Sequence, residues 1–178
     1  MTVLTNEAVR IAIRRDTAFR AEAYDAVLDP FGCLADELHC VLSADVLSPA
    51  GARRIALAGG LYCGDESVAV LEGDVLTVLL NQNVVRLRVP DGELLSARQL
   101  ALWGCGFAIC RAGDGYLVHG ELEVAMFDEQ LEKLWSFSGR DIFVRPDGTP
   151  AFSLRDGVIR LYDFLLNEYC LDLNGRLL

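Results

Sequence analysis

The strongest constraint in this sequence is its punctuation. From Gly64 onward, short apolar segments alternate with turns built from Gly, Asn, Asp and Pro. Residues 67–71 run into Glu72-Gly73-Asp74, residues 75–80 into Asn81-Gln82-Asn83, and residues 84–89 into Pro90-Asp91-Gly92, ahead of Glu93-Leu94-Leu95. Segments this short cannot meet the nucleation cost of a helix, but they suit strands, and turns of this chemistry close antiparallel hairpins. Within residues 84–89, Val85, Leu87 and Val89 share one face and Arg86 and Arg88 the other, the period of a strand with one wet side.

The plan then recurs. Residues 107–110, 116–119, 121–127 and 134–137 form a second set of segments, with a longer turn over residues 128–133. Residues 142–144, 151–154, 158–164 and 169–173 form a third, closing on residues 176–178. Asp91-Gly92-Glu93-Leu94-Leu95 and Asn174-Gly175-Arg176-Leu177-Leu178 nearly match, and the steps from Leu95 to Trp135 and from Trp135 to Leu178 are 40 and 43 residues. A period near 40 with four strands per unit predicts an all-β antiparallel meander of about three four-stranded, blade-like repeats.

Val124-Ala125-Met126-Phe127-Asp128, followed by Lys133-Leu134-Trp135-Ser136-Phe137, resembles a β-propeller blade repeat of the pyrroloquinoline-quinone type. In that repeat a strand ends in Asp, turns through Gly-Lys and closes on an apolar-Trp strand. Residues 169–178 are similar without the Trp, and the resemblance extends over residues 64–178. The turn before Trp135 lacks its Gly, the third unit carries an extra segment at 146–154, and three units are fewer than a closed propeller needs. No residue matches the quinone or metal positions of the dehydrogenases, so the resemblance implies a fold and neither an activity nor a cofactor. A propeller-like closure and an open, twisted sandwich both remain open.

Residues 1–60 read differently. Residues 9–14 alternate apolar and basic, as in a half-wet strand, and residues 18–28 suit strand or helix. Asp29-Pro30-Phe31-Gly32 is a strong turn signal, and Leu38, Cys40, Leu42 and Ala44 alternate after it. The expectation is a long N-terminal hairpin about that turn, Ser48-Pro49-Ala50-Gly51 as a linker, and a bend at Gly59-Gly60, within a single domain spanning 1–178. This region either completes a fourth unit or stands apart from the repeats at 64–178.

The net charge of −10 lies mostly in residues 61–178. A field of that sign repels a phosphate backbone, which argues against nucleic acid, and it favours a basic partner. No apolar run is long enough to span a membrane, and no signal peptide is visible, so a cytoplasmic protein is expected. The six cysteines form no C-x-x-C pair and sit in apolar surroundings, so all six are expected as thiols.

Chemistry-bearing motifs are sparse. His119, Glu121 and Glu123 fall at a period of two, on one face of a strand if Gly120 does not bulge; a solvated polar face is expected there in preference to a metal set. Arg140 and Asp141 are expected to form an ion pair at a turn. Trp103 and Trp135 each end a unit, where a large ring would plug the space beside it. Cys105 lies between two glycines on a turn. No G-x-S-x-G, phosphate loop or cofactor fingerprint is present.

The expected function is a non-enzymatic binding module for a protein partner, a basic one by charge. In size and acidity the chain is like bacterial immunity or antitoxin proteins. Its interaction candidates are His119, Glu121, Trp135, Arg140 and Asp141. The alternative is a small-molecule-binding protein or enzyme with a polar pocket among the turns, built on His119, Glu121, Arg140 and Asp141.

Overall fold

The structure, a computed structural model, describes residues 1–37, 39–60 and 67–178. Leu38, Cys63 and the opening of the first repeat at Gly64 lie outside the described residues. The chain divides into two compact units, Met1–Gln99 and Leu100–Leu178. The N-terminal region is thus grouped with the first repeat, and the other two repeats form the second unit. The fold is all-β. Among the described residues, helical geometry is confined to two short 3-10 turns, Ala21–Ala23 and Cys33–Ala35. None is long and apolar enough to cross a membrane.

In the first unit, β1 (Thr2–Thr5), β2 (Arg10–Asp16), β3 (Ala26–Leu28), β4 (Cys40–Ser48) and β5 (Gly51–Gly59) form one sheet in the order β1-β2-β4-β5-β3. Strand β2 has the expected alternation: Ile11 and Ile13 are buried, Arg10 and Arg14 exposed. The expected hairpin about Asp29–Gly32 does not form. The Asp29 carboxylate accepts the amides of Cys33 at 2.7 Å and Leu34 at 3.0 Å, which turns the chain into a 3-10 turn instead of back on itself. Strand β3 then lies parallel to β5, and β4 pairs with β2 and β5. The expected linker Ser48-Pro49-Ala50-Gly51 is the tight turn of the β4–β5 hairpin, with Ser48 pairing directly with Gly51.

The first repeat is an up-and-down sheet of β6 (Ala69–Glu72), β7 (Val75–Leu80), β8 (Asn83–Arg88) and β9 (Glu93–Gln99). Its apolar face, with Leu76, Val78, Val85 and Leu87, shares one core with Ile11, Ile13, Leu42, Ile55 and Leu57 of the first sheet.

In the second unit, β10 (Gly106–Ala112), β11 (Gly115–Gly120), β12 (Val124–Phe127) and β13 (Lys133–Phe137) form another four-stranded meander. Each of these four-stranded sheets has the strand order of a propeller blade, in keeping with the resemblance over residues 64–178. The last repeat has three strands, β14 (Phe152–Arg155), β15 (Val158–Tyr162) and β16 (Glu168–Leu171), extended by a single bridge from Leu171 to Leu177. Residues 142–144, expected as a strand, are an irregular crossover. Phe143 N donates to Glu121 O at 2.7 Å, and Ile142 O accepts from Phe164 N at 2.8 Å, so the segment ties the two sheets together without joining either. Leu117, Val124 and Met126 of one sheet and Ile159, Leu161 and Leu171 of the other pack about Phe143 in one core.

Candidate interaction site

Three turns in the second unit share one design. Each begins with an Asp whose backbone amide donates to the carbonyl four residues on, and whose carbonyl accepts the amide three residues on: Asp128 with Glu132 and Leu131, Asp163 with Asn167 and Leu166, Asp172 with Arg176 and Gly175. In each, the Asp carboxylate also accepts the amide of the fifth residue, at 2.8 Å from Glu132, 2.9 Å from Asn167 and 2.9 Å from Arg176. The fourth residue has positive φ in every case: 65° at Leu131, 64° at Leu166 and 77° at Gly175. The Gly missing from the repeat pattern before Trp135 is therefore replaced by a Leu that adopts the glycine conformation.

The three turns differ in what they present. At the first, Glu129 and Gln130 face solvent while Leu131 is buried. At the last, the two residues before Arg176 are Asn174 and Gly175. The middle turn presents Phe164, Leu165 and Leu166, which are 45%, 64% and 54% exposed. The turn geometry does not require this, since in the other two the exposed tip residues are Glu129, Gln130 and Asn174, while Leu131 is buried and Leu173 half-buried.

The middle turn is firmly held. Asp163 is fully buried, and its carboxylate accepts the Asn167 side chain at 2.9 Å and the Tyr169 hydroxyl at 2.8 Å in addition to the Asn167 amide. Burial pushes its pKa up, but the hydrogen bonds from Asn167 and Tyr169 outweigh this and hold it below the ordinary carboxylate range. The Tyr169 hydroxyl in turn accepts the Arg140 amide at 3.0 Å. The crossover at 140–143 and the apolar turn are thereby one connected piece of structure.

The sequence-derived candidates surround that crossover, mostly as scaffolding. His119 is buried, with Nε2 at 3.1 Å from Phe143 O, its ring stacked on Phe152 at 5.1 Å and edge-on to Phe107 at 5.4 Å. Burial lowers its pKa to about 4. Strand β11 ends at Gly120, whose amide donates to Glu123 O at 2.9 Å, so the chain bends at residues 121–122 and the period of two breaks down. Glu121 then turns to the Cys105 amide at 3.4 Å, and buried Glu123 to the Trp103 amide at 2.7 Å and Lys133 Nζ at 2.8 Å. The three side chains do not converge as a ligand set.

Arg140 is exposed, and the Asp141 carboxylate accepts its neighbour's amide, that of Ile142, at 2.8 Å; the expected Arg140–Asp141 ion pair is not made. Trp135 is half-buried and its indole donates to Leu173 O at 3.1 Å. Trp103, expected as a plug, is instead 74% exposed on a loop held by Glu121 and Glu123. Cys105, on that loop, has its thiol pKa raised by burial and by the Glu121 charge. The sequence reading missed the Phe164-Leu165-Leu166 turn because that run looks like the end of an apolar strand. The signal was Asp163 and Asn167 bracketing it, as Asp128 and Glu132 bracket the turn before.

No protein-family model and no curated protein sequence matches the chain. Among solved structures it is similar to the dihydro-heme d1 dehydrogenase NirN in complex with DHE, at 13% identity and a TM-score of 0.48, over 85% of this chain and 35% of that one. It is also similar to Kluyveromyces lactis Hsv2, at 10% identity and a TM-score of 0.45, over 85% of this chain and 44% of that one. BamB from Moraxella catarrhalis matches at 9% identity and a TM-score of 0.34, over 100% of this chain and 84% of that one. The chain spans about half the length, or less, of NirN and Hsv2.

Proposed function

We propose that this chain is a non-enzymatic, cytoplasmic protein-interaction module that contacts its partner through the turn of Phe164, Leu165 and Leu166. The contrast among the three Asp turns carries the reading. One geometry is built three times, and only once are large apolar side chains left in water at its tip. Exposed apolar groups on a rigid support are the usual make-up of an interface centre, because little conformational freedom is lost when the partner covers them. Arg140, on the crossover tied to this turn through Tyr169, supplies a charged rim. The net charge of −10 favours a partner of opposite overall sign, as for small acidic immunity or antitoxin proteins. Free thiols at Cys33, Cys40, Cys105, Cys110 and Cys170 suit a reducing compartment.

The test is affinity capture from a lysate of the source cells with the wild-type chain and with Leu165→Asp. A protein retained by the wild type and lost by the variant, with the two melting together, supports the reading. An identical captured set overturns it.

A further inference from the structure

A second surface lies in the first unit and does not depend on the Phe164 turn. Four chain turns, at residues 6–9, 48–50, 73–74 and 88–90, enclose a cleft of about 690 Å³, a volume in the usual range for ligand sites. Its walls are Ala8, Val9, Pro49, Ala50, Val89 and Pro90. The polar groups around it are already engaged with one another. Asn6 Nδ2 donates to Gly73 O at 2.7 Å, and Asn6 Oδ1 accepts the amides of Ala8 and Val9 at 2.8 Å. Ser48 Oγ donates to Gly51 O at 3.2 Å, and Val89 N donates to Asp74 O at 2.7 Å. An occupant therefore meets the cleft chiefly through apolar surface.

The rim is charged and one-sided. Arg88 is taken up by Glu93 at 2.8 Å and by Asp91 at 4.0 Å. Glu7 and Asp74 are exposed and enter no ion pair among the described residues. The Asn6–Gly73 hydrogen bond joins the residues just before each of them, so the two turns that carry them lie side by side at the rim. An apolar floor beneath two free carboxylates selects for an apolar group flanked by positive charge. The carboxylates stand on different turns, which matches charges spaced along an extended chain better than one compact cation.

We infer that this cleft binds a basic segment of a partner protein, with one aliphatic side chain seated against Ala8, Ala50 and Pro90 and Lys or Arg residues two positions away on either side facing Glu7 and Asp74. The probe is a capped pentapeptide, lysine-glycine-leucine-glycine-lysine, titrated into the ¹⁵N-labelled chain of residues 1–178. The expected result is saturable shifts at the amides of Glu7, Ala8, Ala50 and Asp74. Binding should weaken at least tenfold in Glu7→Lys/Asp74→Lys, weaken with added salt, and be lost in Ala50→Trp, which fills the cleft. Should the charge reversal disturb folding, Glu7→Gln/Asp74→Asn serves in its place, with a smaller loss expected. Equal shifts from the glutamate-flanked peptide, or from one with serine in place of leucine, would overturn the proposal. So would saturation by neutral cyclohexanol with no added affinity from charge, or no shifts at all. None of these outcomes bears on Leu165→Asp, which probes a turn in the other unit.

Discussion

Gly175 lies flat against the ring of Trp135: a Cβ at this position would stand 2.7 Å from both Cδ2 and Cε3 of the indole. The contact joins the closing strand of one repeat to the last turn of the next. It also gives Gly175 two reasons to be glycine, its φ of 77° and the closeness of the ring. Trp135 and Phe137 face inward and Leu134 and Ser136 outward, as the alternation predicts. Trp135→Ala is expected to cost about 3 kcal/mol, at the low end for a Trp because the ring is only half-buried. Gly175→Ala should cost about 2–3 kcal/mol from overpacking and backbone strain. Urea denaturation checks both. A Trp135→Ala midpoint equal to wild type would make the indole a surface anchor and not a packing element.

Leu131 and Leu166 occupy equivalent turn positions with nearly the same φ but differ in burial, at 5% and 54% exposed. A non-glycine residue in this conformation carries about 1–2 kcal/mol of strain. Leu166→Gly should relieve it with little loss of packing and raise stability by up to about 1 kcal/mol. Leu131→Gly should relieve the same strain but lose a buried side chain, for a net loss of about 1–3 kcal/mol. Opposite signs in a thermal melt are the expected outcome. A gain from both would mean that Leu131 contributes little packing.

The repeats were legible because their strands alternate and their turns carry Gly, Asn and Asp. That is why β7, β8 and β13 fall where the pattern puts them. Residues 1–60 were not, because a parallel pairing such as β3 with β5 leaves no local mark, and because the Asp29 carboxylate redirects a turn that reads as a reversal. At residues 142–144 the apolar run is explained by one buried side chain, Phe143, and not by sheet pairing. Of the candidate site, the neighbourhood of Arg140 was legible from its Gly-Arg-Asp turn. The tip at Phe164 was not, since an apolar turn cannot be told from a strand end by periodicity.

His119 gives the chain a specific acid response. Its pKa falls from an ordinary 6.5 to about 4 because burial opposes the charged ring. The unfolded chain takes up a proton near pH 6.5 that the folded chain refuses until about pH 4. Stability from this group is therefore complete above pH 6.5 and declines between there and pH 4, by about 3 kcal/mol in all. His119→Gln should be less stable than wild type at pH 7.5 and should close the gap by pH 4.5. A gap that does not change with pH would mean that the ring takes up its proton as readily inside the fold as in the unfolded chain.

Cys33 and Cys110 should react slowly. Burial pushes Cys110 up to about 11 and raises Cys33, so little of either is thiolate near neutral pH. Intact mass after iodoacetamide treatment of the unreduced, denatured chain should show six adducts. In the native chain at pH 7.5, Cys110 should be among the last to label. A mass lacking two adducts would reveal a disulfide and move the protein out of a reducing compartment.

Asp163 and Tyr169 connect stability to the proposed contact surface. Tyr169→Phe removes a hydroxyl that donates to Asp163 and accepts from Arg140. It leaves two partners short of a bond and should cost about 1–3 kcal/mol. Asp163→Ala removes the acceptor for the Asn167 amide, the Asn167 side chain and the Tyr169 hydroxyl together, and should cost more. The folded Asp163 carboxyl has a lowered pKa, so its contribution is present above the ordinary value of 3.8 and is lost as pH falls through the lower folded one. The deficit of Asp163→Asn relative to wild type should accordingly be constant from pH 7 to pH 5 and shrink only in stronger acid, below the window in which His119 acts. If the Phe164 turn binds as a rigid unit, Tyr169→Phe should also weaken capture of the partner while leaving Phe164, Leu165 and Leu166 in place. Unchanged capture by a destabilised Tyr169→Phe would show that the tip binds without this support, and that Asp163 serves the fold alone.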